Sequence, residues 1–142
     1  MNGNSFVIGL LRSPLHGLVS GSMMVLNYIG QKSGKAYSVP VNYYRLGDGR
    51  LVTLSLPARS WWRNFKVGGE LSLRLQGAEV AARAQAYTTP DEVVQWMMAV
   101  LRVKPGYARM FKVGLGADGL PLAADVAREA EKWVAVVFEV GS

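Results

Sequence analysis

Two lysines, a serine and two glycines stand together in residues 30–35, which read Gly-Gln-Lys-Ser-Gly-Lys. Glycines allow a tight turn whose backbone N–H groups face one point, and lysine ammonium groups form charge-assisted hydrogen bonds with phosphate. A hairpin turn that is only solvated has the same composition, so spacing alone leaves both interpretations open. The candidate anion ligands of the turn are Gly30, Lys32, Ser33, Gly34 and Lys35.

A second unusual segment is Ser60-Trp61-Trp62-Arg63-Asn64-Phe65, where two tryptophans are adjacent in a polar setting. Neighbouring side chains point in different directions, so one tryptophan could close a core while the other borders a planar ligand. An equally good interpretation places both tryptophans in the core.

Other sequence patterns associated with catalysis lack the structural context that their mechanisms need. Residues 114–119 match the G-x-G-x-x-G dinucleotide pattern, but a helical stretch precedes them and no parallel sheet is predicted. The 30–35 turn is one residue short of a P-loop, and Ala36 stands where a magnesium-binding hydroxyl is needed. The chain has no cysteine and one histidine, His16, which argues against metal sites and histidine-based catalysis.

The segments that would position these residues alternate between apolar and polar side chains, as antiparallel strands do. Residues 23–29 predict a buried strand, and the next strand carries Pro40, which makes it an edge strand or a bulged one. Gly47-Asp48-Gly49 predicts a hairpin turn into a strand over 51–56. Residues 71–76 and 80–87 predict a second hairpin, and residues 133–140 a last strand.

Helices are predicted mainly in the second half of the chain. Thr89-Pro90-Asp91-Glu92 is a capping box with proline at the first helical position, which begins a helix that runs to about Lys104. Shorter helices are predicted near 107–112 and 122–132. Because strands and helices do not alternate, we predict one domain over residues 1–142 with an α+β barrel.

The charge balance predicts an anionic partner. The formal net charge is +6, which suits phosphate, a polycarboxylate, nucleic acid or an anionic membrane. No apolar run approaches the roughly 20 residues that span a bilayer, and the start lacks the basic region of a secretory signal, so we expect a cytoplasmic protein. Residues 6–19 predict a helix packed on the barrel; the alternative is an amphipathic segment in weak contact with a membrane surface, which would make the protein peripheral.

The sequence resembles the deazaflavin-dependent nitroreductases, relatives of the pyridoxamine-phosphate-oxidase-like split barrels. The resemblance covers roughly residues 9–113 and the final strand. It implies an antiparallel split β-barrel of the FMN-binding type, with about six strands and flanking helices. It also implies an oxidoreductase that transfers a hydride from a reduced 8-hydroxy-5-deazaflavin coenzyme (coenzyme F-420) to a quinone, an activated alkene or a nitro compound. The segments that carry it are Arg12-Ser13-Pro14-Leu15-His16, residues 30–35 with Pro40, Trp61 with Asn64-Phe65, and Lys104-Pro105-Gly106-Tyr107.

The resemblance implies roles for particular residues. The turn, through Lys32, Ser33 and Lys35 with the Gly30 and Gly34 backbone, would hold the phosphate and acidic tail of the coenzyme. Tyr107 would lie beside the substrate in the barrel mouth and donate a hydrogen bond or a proton. The residues expected to line the deazaflavin ring are Leu54, Ser55, Trp61, Trp62 and Asn64.

The sequence also departs from the family pattern. Gln31 stands where family members commonly have arginine, which weakens binding of the tail, and Met110 replaces a second tyrosine. Residues 114–131 resemble an insertion that could reshape or cover the substrate pocket.

Three other functions stay open on the sequence alone. The same fold could bind FMN, whose single phosphate needs fewer cations, or could carry a flavin or an apolar molecule without catalysis. A nucleic-acid-binding barrel is disfavoured, because the cations are not interleaved with aromatic residues along one strand face. We therefore expect a small-molecule substrate, no nucleic acid, no metal, and a monomer or homodimer.

Overall fold

The computed structural model describes residues 23–141, so the segment 6–19 and His16 lie outside the described residues. None of the helices within residues 23–141 is long and apolar enough to cross a membrane. The described elements are strands Met23–Ile29 (β1), Ala36–Asn42 (β2), Tyr44–Arg45 (β3), Leu51–Ser55 (β4), Gly69–Leu75 (β5), Ala78–Tyr87 (β6) and Val134–Val140 (β7), a 3-10 helix Trp61–Phe65, and helices Pro90–Val103 (α1), Tyr107–Met110 (α2) and Ala123–Ala130 (α3).

The seven strands form one antiparallel sheet in the order β2-β1-β5-β6-β7-β4-β3. Its two edge strands, β2 and β3, are separated in the chain by Tyr43 alone, so the sheet must curl until its edges meet. The Thr53 hydroxyl on β4 donates to the backbone oxygen of Asn42 at the end of β2 over 2.8 Å. The resulting seam between β2 and β4 is the split of the barrel. The predicted α+β split barrel is confirmed, with seven strands because β3 is a separate two-residue strand.

Pro40 lies on β2, opposite Val25 of β1. A proline has no N–H to donate to a neighbouring strand, and β2 is an edge of the sheet, so the missing donor faces no partner strand. The prediction of an edge strand at Pro40 is confirmed.

Alternating side chains of the strands fill the barrel interior. Leu71, Leu73 and Leu75 of β5 face inward, where they meet Met24 and Leu26 of β1. The other interior residues include Tyr28, Val41, Tyr43, Leu51, Trp61, Trp62, Phe65, Ala82, Ala84, Ala86, Val134, Val136 and Phe138.

A second apolar layer lies outside the barrel, between the β4–β7 face and the helices. Val93, Met97, Val100 and Leu101 of α1 recur at helical spacing and are almost fully buried. Thr89 caps this helix: its hydroxyl accepts from the backbone N–H of Glu92 at 3.4 Å, as the capping box predicts.

Residues 114–131 belong to this outer layer. Their first part is a loop closed by a bridge between Leu115 and Pro121, and α3 follows, burying Val126 and Ala130 among the outer-layer residues. The Gly114 N–H donates to Asp125 at 2.9 Å, which ties the loop to the helix. The glycine pattern thus forms a loop rather than a dinucleotide site.

Candidate active site

The turn between β1 and β2 is closed by its own backbone. Gly30 N–H donates to the Lys35 oxygen over 2.8 Å, Gly34 N–H donates to the Gly30 oxygen over 2.9 Å, and Lys35 N–H donates to the Ser33 hydroxyl over 3.2 Å. The Gly30 and Gly34 N–H groups are therefore not available for the phosphate contact that the sequence predicted. Among the described residues, the backbone N–H groups of Lys32 and Ser33 have no acceptor, so these two can serve an anion.

Gly30 is required by close packing rather than by a ligand. A Cβ at this position would lie 2.7 Å from Cε2 of Tyr37 and 2.8 Å from the Ser33 hydroxyl. The Tyr37 ring covers the turn and stacks on Tyr28, with ring centroids 5.6 Å apart. Gly34 has a φ of +69°, a left-handed conformation that glycine adopts without strain.

A pair of hydrogen bonds clamps the turn to the 3-10 helix. The Asn64 side-chain oxygen accepts from the Gln31 backbone N–H at 3.0 Å, and the Gln31 side-chain nitrogen donates to the Asn64 backbone oxygen at 2.8 Å. The Asn64 side-chain nitrogen donates to the Trp61 oxygen at 3.0 Å. Asn64 lines the cavity described below, but its amide is engaged within the protein, so it positions the turn and Trp61. Gln31 stands where family members commonly have arginine, and here it donates both hydrogen bonds that join the turn to Asn64.

The two tryptophans are both buried, but they differ in what they border. Trp61 lines the cavities at the seam, whereas Trp62 lines neither of them. The Trp62 indole N–H donates to the Pro57 oxygen at 3.3 Å, and the Arg63 guanidinium lies over its ring at 5.1 Å. The structure thus places Trp62 in the core and Trp61 at the cavities as their aromatic wall, and the contact of Trp62 with the ring stays a prediction.

Two adjoining cavities form one groove that runs from the turn along the seam. The larger has a volume of about 440 Å³ and lies against the turn and the 3-10 helix. The smaller, of about 160 Å³, lies between β2 and β4, and the two share Val39, Arg59 and Trp61. The larger cavity is lined by Tyr28, Gly30, Gln31, Lys32, Ser33, Tyr37, Val39, Arg59, Ser60, Trp61, Arg63 and Asn64.

The structure brings most of the predicted ligand-binding residues to this groove. Lys32 and Ser33 line the larger cavity, and Leu54 and Ser55 line the smaller one at the end of β4. Lys35 and Gly34, which belong to the same turn, do not line either cavity. The turn therefore presents only its first four residues to a ligand.

The groove is positively charged. Lys32, Arg59 and Arg63 contribute ammonium or guanidinium groups to its lining, and no aspartate or glutamate of the described chain lines it. Within residues 23–141 no three carboxylate or imidazole side chains are close enough to hold a metal ion. The groove can therefore attract an organic anion without a bridging cation.

The floor of the groove near the turn carries a phenol that stays protonated. Burial, and then the neighbouring Tyr37, raise the pKa of Tyr28 above its ordinary value. The Tyr28 ring is also held edge-on by Phe65 at a centroid distance of 5.4 Å. A protonated, fixed phenol can donate a hydrogen bond to a ligand in the groove.

Tyr107 does not lie at this groove. Its ring packs edge-on against Tyr44 with centroids 4.9 Å apart, and it lines a separate cavity that shares no residue with the groove. The reason is that α2 follows α1 in the outer layer, so the Pro105 stop turns the chain toward β3 rather than into the groove. The structure places the Tyr107 ring at this separate cavity, and its predicted role beside the substrate stays a prediction.

Sequence reasoning missed Arg59, which lines both halves of the groove. Its position in the loop after β4, directly before the two tryptophans, is a signal that could have found it. Tyr28 and Val39 were also missed, because both read as ordinary strand residues until the seam is known.

Solved structures resemble this fold at low identity. One described as a domain-swapped dimer has a TM-score of 0.54 and 16% identity, and the match covers 96% of this chain and 93% of that one. A conserved hypothetical protein from Mycobacterium tuberculosis has a TM-score of 0.52 and 12% identity, and the match covers 100% and 82% of the two chains. A third, an F420-H2 dependent reductase, has a TM-score of 0.49 at 16% identity over 84% and 94%, too distant to carry an argument. No curated protein matches the sequence.

A family model described as F420H(2)-dependent quinone reductase matches residues 13–121. The match includes the turn, both strands of the seam, the 3-10 helix and α1. It confirms the resemblance to deazaflavin-dependent reductases, and it makes the reduced deazaflavin the cofactor and a quinone-like molecule the acceptor. The chain belongs to the F420H(2)-dependent quinone reductase family of oxidoreductases.

Proposed function

We propose that the groove at the seam holds the reduced deazaflavin and a quinone-like acceptor side by side. The observation that carries this proposal is the division of the groove into two parts. One end has the exposed Lys32 and Ser33 of the turn, and the seam has the aromatic wall of Trp61 facing Leu54 and Ser55.

The residues present fit the chemistry of that cofactor. Its acidic tail needs cations and N–H donors, and the turn supplies the Lys32 ammonium and the N–H groups of Lys32 and Ser33. Its ring system needs a flat apolar wall, which Trp61 supplies where the two cavities join. An uncompensated carboxylate would repel the tail, and the described groove lining has none.

When bound, the reduced deazaflavin supplies a hydride. The chain's own residues orient it, since the clamp between Gln31 and Asn64 fixes the turn relative to Trp61. Holding two reactants in one geometry removes an entropic barrier from the transfer.

Arg59 is the proposed electrostatic residue of the transfer. A quinone that accepts a hydride gains negative charge on its oxygen, and a cation placed near that oxygen stabilises the charge. Of the described cations that line the groove, Arg59 alone lines both cavities, so it borders the place where cofactor and acceptor would meet. Tyr107 has no part in this proposal, because its cavity is a different one.

The test begins with cofactor identity. Purified protein is titrated with oxidised deazaflavin and, separately, with FMN, while the absorbance and fluorescence of each are followed. We expect saturable binding of the deazaflavin and at least about tenfold weaker binding of FMN, because FMN leaves the cations of the groove partly unused. Tighter binding of FMN would overturn the assignment.

The second step separates binding from turnover. R59Q removes the junction cation, and R109Q removes an equally exposed cation outside both cavities. We expect R59Q to lower kcat for a soluble quinone by about 10- to 100-fold with little change in deazaflavin affinity, and R109Q to behave as the parent. Equal kcat values in the two variants would remove Arg59 from the mechanism.

A further inference from the structure

A second cavity lies apart from the groove, where β3 meets α1 and α2. It has a volume of about 210 Å³ and shares no lining residue with the groove. We call it the tyrosine cavity. It is lined by Tyr43, Tyr44, Tyr107, Arg45, Lys104 and Gln76, together with two valines of α1.

The charged groups of the tyrosine cavity are both cations, and its tyrosine and glutamine side chains can also donate hydrogen bonds. Arg45 and Lys104 carry positive charge, and none of the ion pairs among the described residues includes either of them. Residues 1–22 contain no aspartate or glutamate, so that segment has no side-chain carboxylate to offer them. Two exposed cations that line one cavity, with no carboxylate partner among the described residues, give it a positive potential that favours an anion.

The tyrosines are held in place as a donor set. Tyr107 packs edge-on against Tyr44, and the Lys104 ammonium lies 5.1 Å from the Tyr107 ring centroid. Tyr43 is buried at the floor of the cavity and hydrogen-bonds to Arg45 and Gln76. Burial raises the pKa of both Tyr43 and Tyr44, so both phenols remain protonated at neutral pH.

The backbone conformation of Gln76 is a second, independent observation at this cavity. It occupies the turn between β5 and β6 with a φ of +48°, followed by Gly77 at +84°. Asparagine, aspartate and glycine are the residues that ordinarily take the first position of such a hairpin turn. The longer glutamine side chain in this position reaches Tyr43 and lines the cavity, at the cost of a less favoured backbone conformation.

We propose that the tyrosine cavity is a second binding site, which takes a small organic anion through a phosphate or carboxylate group. The planar guanidinium of Arg45 suits two-point contact with either group, and Lys104 adds a mobile point charge. Tyr107 and Gln76 add neutral polar groups beside them, and Tyr43 holds Arg45 and Gln76 in place. The volume of about 210 Å³ holds a small anion, and the site shares no lining residue with the groove.

The proposal is tested by nuclear magnetic resonance with inorganic phosphate and acetate as separate probes. Backbone amide signals are followed during each titration, with sodium chloride used to hold the ionic strength constant. We expect the signals of Gln76, Gly77 and Lys104 to shift and saturate, independently of those of Lys32 and Ser33. A preference for phosphate or for acetate identifies which group the site takes.

The variant pair R45Q/K104Q removes both cations of the cavity, and R102Q/R109Q removes two exposed cations of the same helical region that line neither the tyrosine cavity nor the groove. We expect the first pair to weaken binding of the preferred probe at least about tenfold and the second to leave it unchanged. The single variants R45Q and K104Q give the same answer if the double variant is unstable. Shifts that do not saturate, or that survive in R45Q/K104Q, would overturn the proposal.

Discussion

Lys32 and Lys35 belong to one turn and are both exposed, but only Lys32 lines the groove. They therefore form a matched pair of substitutions, K32A and K35A, with the same change of charge. A direct contact between opposite charges at about 4 Å contributes about 1 kcal/mol in bulk water and about 4 kcal/mol near a protein surface. Because Lys32 is exposed, we expect K32A to cost about 1–2 kcal/mol, which weakens deazaflavin affinity about 5- to 30-fold.

The effect of K35A should be smaller for a physical reason. A charge that does not contact the ligand acts over a distance comparable to the screening length of about 8–10 Å at moderate salt, so we expect a loss of no more than about twofold. A fluorescence titration at two salt concentrations measures both variants, and a thermal melt should place each close to the parent. Equal losses of affinity in K32A and K35A would show that the turn acts only through its general charge, and the assignment of Lys32 as a contact would be refuted.

Two further predictions concern stability. G30A should destabilise the fold by about 1–3 kcal/mol, because its Cβ would lie 2.7 Å from the Tyr37 ring. G47A is the control: a Cβ at this position has no atom within 4 Å, so the variant should melt as the parent does. Similar melting temperatures of G30A and G47A would contradict the packing argument. The hydrogen bond from Lys132 is the main cause that holds the pKa of Glu129 below its ordinary value, so the carboxylate stabilises the fold at neutral pH and loses this contribution as the pH falls through the lowered pKa. E129Q should accordingly melt below the parent at pH 7, with a difference that closes under acidic conditions, and a difference that stays constant with pH would be evidence against the ion pair.

Much of the fold could be predicted because local rules agree with the tertiary structure. Apolar alternation in β5 and β6, the capping box at Thr89 and the glycine turn at 47–49 each act within a few residues, and the structure has elements at all three places. The separate strand β3 could not be predicted, since a two-residue strand forms only because the sheet curls past Tyr43.

The candidate site was predictable only where its residues are close together in the sequence. Lys32 and Ser33 follow from the composition of one turn. Arg59 and Tyr28 join them through the seam and the 3-10 helix, which depend on long-range pairing that no local pattern reports. The packing of Tyr107 against Tyr44 could not be predicted, because the helix stop at Pro105 marks where the helix ends but not the direction that the chain takes afterwards.

In the proposed site, a ligand at the seam between β2 and β4 would link its own binding to the closure of the barrel. The edges there are joined among the described residues by the Thr53 hydroxyl bond to Asn42, and the groove that runs along them borders both strands. A ligand that touches both edges binds the closed barrel and not the open one, so it adds RT ln(1 + [L]/Kd) to the stability, or about 2.7 kcal/mol at a hundredfold excess over Kd. Amide hydrogen exchange along β2 and β4 should therefore slow on cofactor binding more than exchange in the β5–β6 hairpin, which lies away from the seam.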